Sequence, residues 1–189
     1  MLSLDHDCAP PRNINDTELR HDMKAMPKSR SNNTFTDTSF LHLRMQSIEL
    51  RTSLCAKVNR LKGVSEFHET LKCEDNVRMF IRDIPRWTAP RSGQARNLLD
   101  LQLRQFLVVL YAPRAVQPEF RTASDCRYSM FTSLEAAAKT IEVHNNLMEA
   151  SNYALLLTRN DYFRAMVLVC HVTYHARRAN GKLFPFMPG

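Results

Sequence analysis

Glycine is scarce in this sequence, and its scarcity excludes two nucleotide-binding motifs. Only four glycines occur among 189 residues, at positions 63, 93, 181 and 189. None belongs to a glycine-rich phosphate loop, so the P-loop and the dinucleotide-binding fingerprint are absent. The sequence also lacks an uncharged apolar run of about 18 residues, which a membrane-spanning helix needs. Because no basic start is followed by an apolar block, we expect a location inside the cell and outside the membrane.

Cysteine is present, but without the spacing of a metal site or a disulfide framework. Five cysteines lie at positions 8, 55, 73, 126 and 170, and no C-x-x-C pair occurs. The spacing excludes a zinc ribbon or zinc cluster, and the odd count and wide gaps argue against a disulfide framework. We expect reduced thiols that serve mostly as small buried hydrophobic side chains.

Positive charge is in excess but is not concentrated. The chain has 26 Lys and Arg against 19 Asp and Glu, a net charge of +7 and a pI of about 9.4. A nucleic-acid partner must therefore be considered. However, the basic residues are scattered, and Arg177-Arg178 is the only adjacent pair. This distribution favours a solvated, mildly basic surface over a phosphate-binding stripe.

The segment 98–113, LLDLQLRQFLVVLYAP, predicts a central helix. Its first half places apolar residues on one helical face, and its second half is apolar on all sides. Pro90 and Gly93 stand before it, and Pro113 is expected to stop it because proline cannot continue the hydrogen-bond ladder. The short run 106–111 is also compatible with a buried strand, but the longer glycine-free frame favours a helix.

Four further segments have helical periodicity, and together they predict an all-α fold. The expected helices are a long one over 40–61, a shorter one over 65–84, one over 124–148 and a last one over 162–179. The middle of the last helix is apolar on all sides, so we expect it to be buried like the central helix. The predicted architecture is an irregular bundle of about five helices with an extended N-terminal arm.

Composition divides the chain into three parts. Residues 1–33 are polar and rich in proline and asparagine, and are predicted to form the extended arm. Residues 34–181 form the helical domain, which we expect to be incomplete by itself. Residues 182–189 form an apolar tail. The single tryptophan, Trp87, is expected to pin its corner onto the core, because one aromatic residue without a basic groove is a poor platform for a nucleic-acid base.

Candidate metal ligands are confined to the last helix. Cys170, His171 and His175 are the only concentrated ligand types, and two histidines four positions apart on a helix can hold zinc. Val172 stands where the glutamate base of a zinc protease would follow the first histidine. Because spacing nominates no third ligand, ordinary partly buried histidines are the favoured interpretation.

Candidate catalytic residues are not supported by any motif. Glu135 and Glu142 can face one way on a helix, but the neighbouring Lys139 and His144 indicate a solvated face. We therefore assign no catalytic, metal-binding or DNA-binding residue, and no cofactor-binding residue is identified. The methionines and aromatic residues are expected to form the core, and a ligand pocket between helices of the bundle stays open as an alternative.

Five short motifs occur in an order that is typical of one family. They are Ile14-Asn15-Asp16-Thr17-Glu18-Leu19, Thr36 to Phe40, Leu61 to Pro85-Arg86-Trp87, Leu110-Tyr111-Ala112-Pro113, and Ser129 through Ala137. In this order they resemble the regulatory, or middle homology, domain of fungal-type transcription factors with a six-cysteine binuclear zinc cluster. The match spans roughly residues 10 to 178. Ala112, Arg114 and Ser133 depart from the family pattern, where arginine, an aromatic residue and cysteine are usual.

The resemblance implies the carboxy-terminal part of such a domain, and so a fragment. It implies a nuclear regulator of transcription, not an enzyme, with protein partners or a dimer and room for a small-molecule effector. Zinc is expected only in an amino-terminal cluster that has no counterpart here, so DNA binding would come only through that missing domain. One alternative is a stand-alone helical protein-interaction module. Another is a helical metal-dependent hydrolase that uses His171 and His175.

Overall fold

The computed structural model describes residues 9–60, 67–116, 123–149 and 160–178. Within these ranges the chain forms α-helices, one short 3-10 helix over Asp16–Glu18 and no strand, so the predicted all-α class is confirmed. The α-helices are α1 Ser39–Gln46, α2 Ile48–Arg60, α3 Phe67–Asp83, α4 Ser92–Ala115, α5 Ser124–Glu149 and α6 Asp161–Arg178. Cys8, Gly63, Ala179 and the predicted apolar tail lie outside the described residues.

The long helix predicted over 40–61 is interrupted at one residue, and in this respect the prediction is wrong. Ser47 separates α1 from α2, and its backbone N–H donates to the carbonyl oxygen of Leu43. Its hydroxyl donates to the carbonyl oxygen of Arg44 at 2.8 Å and accepts from Nε of Arg51 at 3.1 Å. A serine hydroxyl that bonds to nearby backbone competes with the helical ladder, and so allows a break that apolar periodicity does not signal.

The central helix is present, but it is longer than predicted at both ends. It begins at Ser92, whose hydroxyl donates to the carbonyl oxygen of Ala89 at 2.6 Å, so Gly93 lies within its first turn. It ends at Ala115, and Pro113 lies inside the last turn. A proline this close to the end removes only one hydrogen bond of the ladder, which the helix tolerates for two more residues.

Helix α4 is the centre of the core because other helices cover each of its sides. Leu99 packs with Leu43 and Ile84 on one side, and Leu101 packs with Val143 and Leu147 of α5 on another. A third and larger cluster joins leucines of α4 to side chains of four other helices; its members include Leu54, Val77, Leu103, Leu107, Ala137 and Leu168. The prediction of a helix buried on all sides is confirmed for α4.

Helix α6 is buried on one side only, which corrects the prediction that its apolar middle is covered all round. Ala165, Leu168 and Val172 face the core. Phe163 and Tyr174, in contrast, are 71% and 59% exposed. Helical periodicity shows that a face is apolar, but only a neighbouring element can cover it.

The buried face of α5 also differs from the expected one. Phe131 was expected in the core and is 57% exposed, whereas Ser129 and Ser133 are fully buried. Their hydroxyls donate to the carbonyl oxygens of Asp125 and Met130, which satisfies these polar groups within the helix. Small side chains allow α4 and α5 to approach closely, and this pair forms the most extensive helix contact of the bundle.

The described part of the arm lies against the start of α1. The side chain of Asn13 is buried and donates to the carbonyl oxygens of Ser31 and Thr34. Its Oδ1 accepts from the hydroxyls of Thr36 at 2.6 Å and Ser39 at 2.8 Å. Thr36 and Ser39, which belong to the predicted capping cluster, therefore bind the arm instead of capping the helix by side-chain hydrogen bonds. The three-part division of the chain stays a prediction.

Trp87 joins the arm to the core, as expected for a residue that pins its corner. Its Nε1 donates to the carbonyl oxygen of Asn32 at 2.8 Å. Its ring lies 5.2 Å from that of Phe35 and packs against the cluster around Leu43 and Leu99. These contacts hold a segment of irregular backbone onto the helices, which is a packing function and not a stacking site for a base.

The cysteines of the described ranges are free thiols, but they are not mostly buried. Cys126 is buried, Cys73 is half-buried, and Cys55 and Cys170 are exposed. The expectation of buried thiols is therefore wrong for two of these four residues. Cysteine composition alone cannot place a thiol on the inner or the outer face of a helix.

Candidate functional site

The nominated histidine pair lies on the exposed side of α6. The rings of His171 and His175 stack with centroids 4.5 Å apart, in a shallow surface depression that Phe163, Val167 and Tyr174 also line. Across the ranges that the structure covers, no three His, Cys, Asp or Glu side chains are grouped so as to hold a metal ion. The structure thus brings the two histidines together but adds no further ligand from its described residues.

The two nominated glutamates do not come together. Glu135 accepts a hydrogen bond from Arg78 of α3 at 2.7 Å, and Glu142 pairs with Lys139 at 2.6 Å. His144 was expected on a solvated face and is instead fully buried. The turn of α5 directs it toward the start of α6, where its Nε2 lies 3.3 Å from Oδ1 of Asp161. These residues form ion pairs and a buried contact, not an acid–base pair.

A buried carboxylate that the sequence did not reveal links α3, α4 and α5. Glu74 is 3% exposed. One of its oxygens accepts from Nε of Arg78 at 2.6 Å, and the other accepts from the hydroxyls of Tyr111 and of Tyr128, the latter at 3.0 Å. Burial, reinforced by the bond to Glu74, raises the pKa of Tyr111 well above its usual range. Both carboxylate oxygens have protein partners, so this cluster has a structural role. Its one sequence signal is the Glu74–Arg78 spacing of four residues.

A pocket between α1, α2, α4 and the start of α6 is the strongest candidate for a binding site. Its volume is about 410 Å³. The polar side chains that line it are Arg44, Arg51, Gln102, Gln105, Asn160 and Arg164. Asp161 is the single carboxylate among the lining residues, and Cys55 and Phe106 complete the wall. Residues from four helices meet here, which explains why no local motif predicted it.

The pocket has an excess of positive charge. Among the described residues, Arg44, Arg51 and Arg164 form no salt bridge. The guanidinium of Arg51 donates to the hydroxyl of Ser47 and to the carbonyl oxygen of Arg44, both of which are neutral acceptors. Burial and, after it, the nearby charge of Arg44 lower the pKa of Arg51. An arginine remains protonated despite such a shift, so its charge stays available to a ligand.

Two further features make the pocket suitable for hydrogen bonding. The Oε1 atom of Gln102 is buried and has no hydrogen-bond partner in the described part of the chain. The first turn of α6, beginning at Asp161 after Asn160, also borders the pocket. The N-terminal turn of a helix presents backbone N–H groups and the positive end of the helix dipole. The pocket therefore offers a ligand positive charge, one hydrogen-bond acceptor and the N–H groups of a helix N-terminus.

The chain is similar to two fungal transcription factors. It is 28% identical to transcription factor lepE of Aspergillus flavus, over 90% of this chain and 22% of that protein. It is 24% identical to transcription factor phm2 of a Pyrenochaetopsis species, over 87% of this chain and 24% of that protein. The chain therefore spans less than a quarter of the length of these relatives.

Both relatives are named as transcription factors, and the comparisons support a transcription-factor-like relationship for this chain. No protein-family model matches the chain, and no solved structure matches it. The resemblance to fungal transcription factors is confirmed at this level, while the finer assignment to their middle homology domain stays a prediction. Separately, none of the described helices has both the length and the apolarity to cross a membrane.

Proposed function

We propose that this chain is the regulatory part of a fungal-type transcription factor and controls transcription without a zinc cluster of its own. One observation supports this most directly. The similarity to lepE and phm2 covers 90% and 87% of this chain, yet it covers only 22% and 24% of those proteins. The matched region is thus one part of each of these longer transcription factors. The bundle also contains a small polar pocket between its helices, and a pocket of this kind suits regulation by a bound ligand.

The distribution of basic residues supports a DNA-binding role outside this chain. Arg78 pairs with Glu74 and Glu135, and Arg104 pairs with Asp100 at 2.7 Å. Arg114 lies 3.5 Å from Asp125. Arginines whose charge is balanced by nearby carboxylates contribute little to the attraction of DNA phosphates. The net charge of +7 therefore overstates the positive charge that these three arginines offer to DNA.

The proposal extends to location, cofactors and partners. The chain acts in the nucleus, through protein partners or a second copy of itself, and it reaches DNA through a separate zinc-cluster domain. Zinc is a cofactor of that domain and not of this chain. No residue is assigned to catalysis, metal binding or DNA contact, and the cofactor-binding residues are unknown.

A tethering experiment tests the regulatory role. The full chain is fused to an unrelated sequence-specific DNA-binding domain, and transcription is measured from a reporter that has the matching operator. We expect transcription to differ several-fold from that produced by the DNA-binding domain alone, because the fused chain recruits or blocks the transcription machinery. A Leu103→Asp fusion, which places an unpaired charge in the core, should lose the effect. Equal reporter output from the wild-type fusion and the isolated DNA-binding domain would contradict the proposal.

A second experiment tests the absence of a DNA-reading element. Fluorescence anisotropy of the full chain with labelled duplexes should show only weak binding, similar for all sequences and lost as salt is raised. The reason is that scattered arginines attract phosphates without reading base edges. Tight binding to one sequence at physiological salt would overturn this part of the proposal.

A further inference from the structure

We propose that the arginine-lined pocket binds a small oxyanion-bearing molecule that also has a hydroxyl or amine hydrogen-bond donor. The inference rests on the proposed function, to which it adds the chemical class of the effector. The oxyanion is a carboxylate or a phosphate, because guanidinium groups bind both through paired N–H groups. Three observations support this assignment: the charge of the pocket, the fixed position of one arginine, and one unsatisfied buried acceptor.

The charge of the pocket selects an anion. Three guanidinium groups line it, from Arg44, Arg51 and Arg164, against one carboxylate. That carboxylate, Asp161, is 4% exposed and already contacts Nε2 of His144. The lining therefore has an excess positive charge of two, although Arg44 and Arg164 are exposed to solvent. This charge attracts an anion and repels a cation.

Arg51 is held in place before any ligand binds. Its Nε donates to the hydroxyl of Ser47 at 3.1 Å, and one terminal nitrogen donates to the carbonyl oxygen of Arg44 at 3.0 Å. A side chain that is already ordered loses less conformational entropy when a ligand binds. The other terminal nitrogen makes no hydrogen bond to a described residue, which leaves its N–H groups for an oxyanion.

Gln102 sets the requirement for a donor on the ligand. It lines the pocket, and its buried Oε1 has no partner among the described residues. A buried acceptor without a partner is costly, so a ligand hydroxyl or amine that satisfies it gains affinity. A simple anion such as chloride or sulfate supplies no such donor at neutral pH. The pocket therefore favours a hydroxy or amino acid, or a phosphate ester with a free hydroxyl group.

The size and position of the pocket suit an effector. Its volume of about 410 Å³ falls toward the lower end of the range for small-molecule sites, roughly 300–1,000 Å³. A ligand there contacts both sides of the α1–α2 junction, the central helix α4 and the first turn of α6. Binding would connect these elements through one molecule and raise the free energy of unfolding.

The test is calorimetric titration of the purified full chain with matched probes at constant ionic strength. Malate and succinate are both small dicarboxylates, and only malate has a hydroxyl donor. We expect saturable binding of malate, and weaker binding of succinate by about tenfold, which corresponds to one hydrogen bond to a buried acceptor. Glycerol 3-phosphate and sulfate form the second arm. Both have a tetrahedral oxyanion, and only glycerol 3-phosphate has hydroxyl donors, so its tighter binding would identify a phosphate ester as the source of the oxyanion. If none of the four binds saturably up to about 10 mM, the proposal is overturned.

Matched variants locate the binding. Arg164→Met should lower the affinity for the probe at least tenfold. Arg96 lies on the exposed surface of α4, outside the pocket, so Arg96→Met should leave that affinity unchanged. Gln102→Met keeps the length of the side chain and removes the acceptor, so it should abolish the difference between malate and succinate. Binding that Arg164→Met leaves unchanged, or equal binding of malate and succinate by the wild-type chain, would contradict the assigned site or the assigned donor.

The titration and the tethering experiment fail independently. Titration uses the isolated chain and no reporter, so an absence of binding refutes the pocket proposal and leaves the regulatory role to the reporter result. A silent reporter together with saturable, Arg164-dependent binding refutes the regulatory role and leaves the binding site in place.

Discussion

Helices α4 and α6 have similar apolar middles but opposite surroundings. In α4, Leu101 and Tyr111 are fully buried, and Leu103 is 1% exposed. In α6, Ala165 is fully buried, while Phe163 is 71% exposed. The periodicity of either segment alone predicts burial on all sides.

The difference arises from the neighbours of each helix. Helix α4 packs against α1, α2, α3, α5 and α6, whereas the main contacts of α6 are with α5 and α4. A helix inside a ring of helices needs apolar residues on every face, but a peripheral helix exposes whatever lies on its outer face. The comparison shows that an apolar composition does not decide whether the faces of a helix are buried, because burial depends on the helices that pack around it.

The largest expected effect comes from truncating one apolar side chain on each of the two helices, a buried one on α4 and an exposed one on α6. Leu103→Ala in α4 should lower the free energy of unfolding by about 2–5 kcal/mol, because it leaves a cavity in a packed core. Phe163→Ala in α6 removes a larger side chain and should change it by less than about 0.5 kcal/mol, since the ring is exposed. Urea denaturation of both variants measures the contrast. A similar loss in the two would mean that the outer face of α6 is covered in solution.

A smaller effect is expected where α4 contributes a polar group to the core. Tyr111→Phe removes a hydroxyl that donates to the buried carboxylate of Glu74. The expected loss is about 1.5–3 kcal/mol, the value of a hydrogen bond to a charged group. Tyr128→Phe removes the second hydroxyl from the same oxygen, but this ring is 42% exposed, and its loss should be smaller. An equal loss in the two variants would show that burial on α4 does not strengthen the bond.

A substitution in the exposed first turn of α4 should instead raise the free energy of unfolding. Gly93 lies in its first turn, and a Cβ added there meets nothing within 4 Å. Gly93→Ala should raise the free energy of unfolding by about 0.4–1 kcal/mol, because alanine restricts the unfolded chain and favours the helix. Thermal unfolding provides the measurement. A lower melting temperature would indicate that this turn needs the conformational freedom of glycine.

The smallest expected effect lies at the solvated edge of the Glu74 cluster. The hydrogen bond from Arg78 lowers the pKa of Glu135 below its ordinary value of 4.5. A depressed carboxyl pKa contributes stability above the unfolded pKa, and this contribution is lost as pH falls through the folded pKa. Because the Glu135 side chain is 62% exposed, Glu135→Gln should cost about 0.2–1 kcal/mol near neutral pH.

That difference should vanish when wild type and variant are compared in acid, where Glu135 is protonated, or in high salt, where the pair is screened. Urea titrations of both proteins at neutral and acidic pH supply the comparison. A constant difference across pH would assign the effect to packing and not to the ion pair.

The local features of the fold were predictable from the sequence because they depend on residues within one or two turns. Helix α5 begins at Ser124 and ends at Glu149, one residue beyond the predicted segment, and α3 ends at Asp83 just before Ile84-Pro85. Caps, prolines and apolar periodicity act over about four residues and are readable locally. The break at Ser47 was missed because its hydroxyl competes for backbone carbonyls within an otherwise unbroken apolar pattern.

The candidate site could not be predicted, because its residues come together only in the folded chain. Arg44, Gln102 and Arg164 belong to three different helices and meet in one pocket. Glu74 and Tyr128 are 54 positions apart and share a hydrogen bond. The sequence by itself determined the helical class, the caps and the apolar faces, since these follow from local backbone preference and side-chain spacing. Tertiary structure alone decided which apolar faces are covered and which charges meet, since both depend on contacts between residues that are distant along the chain.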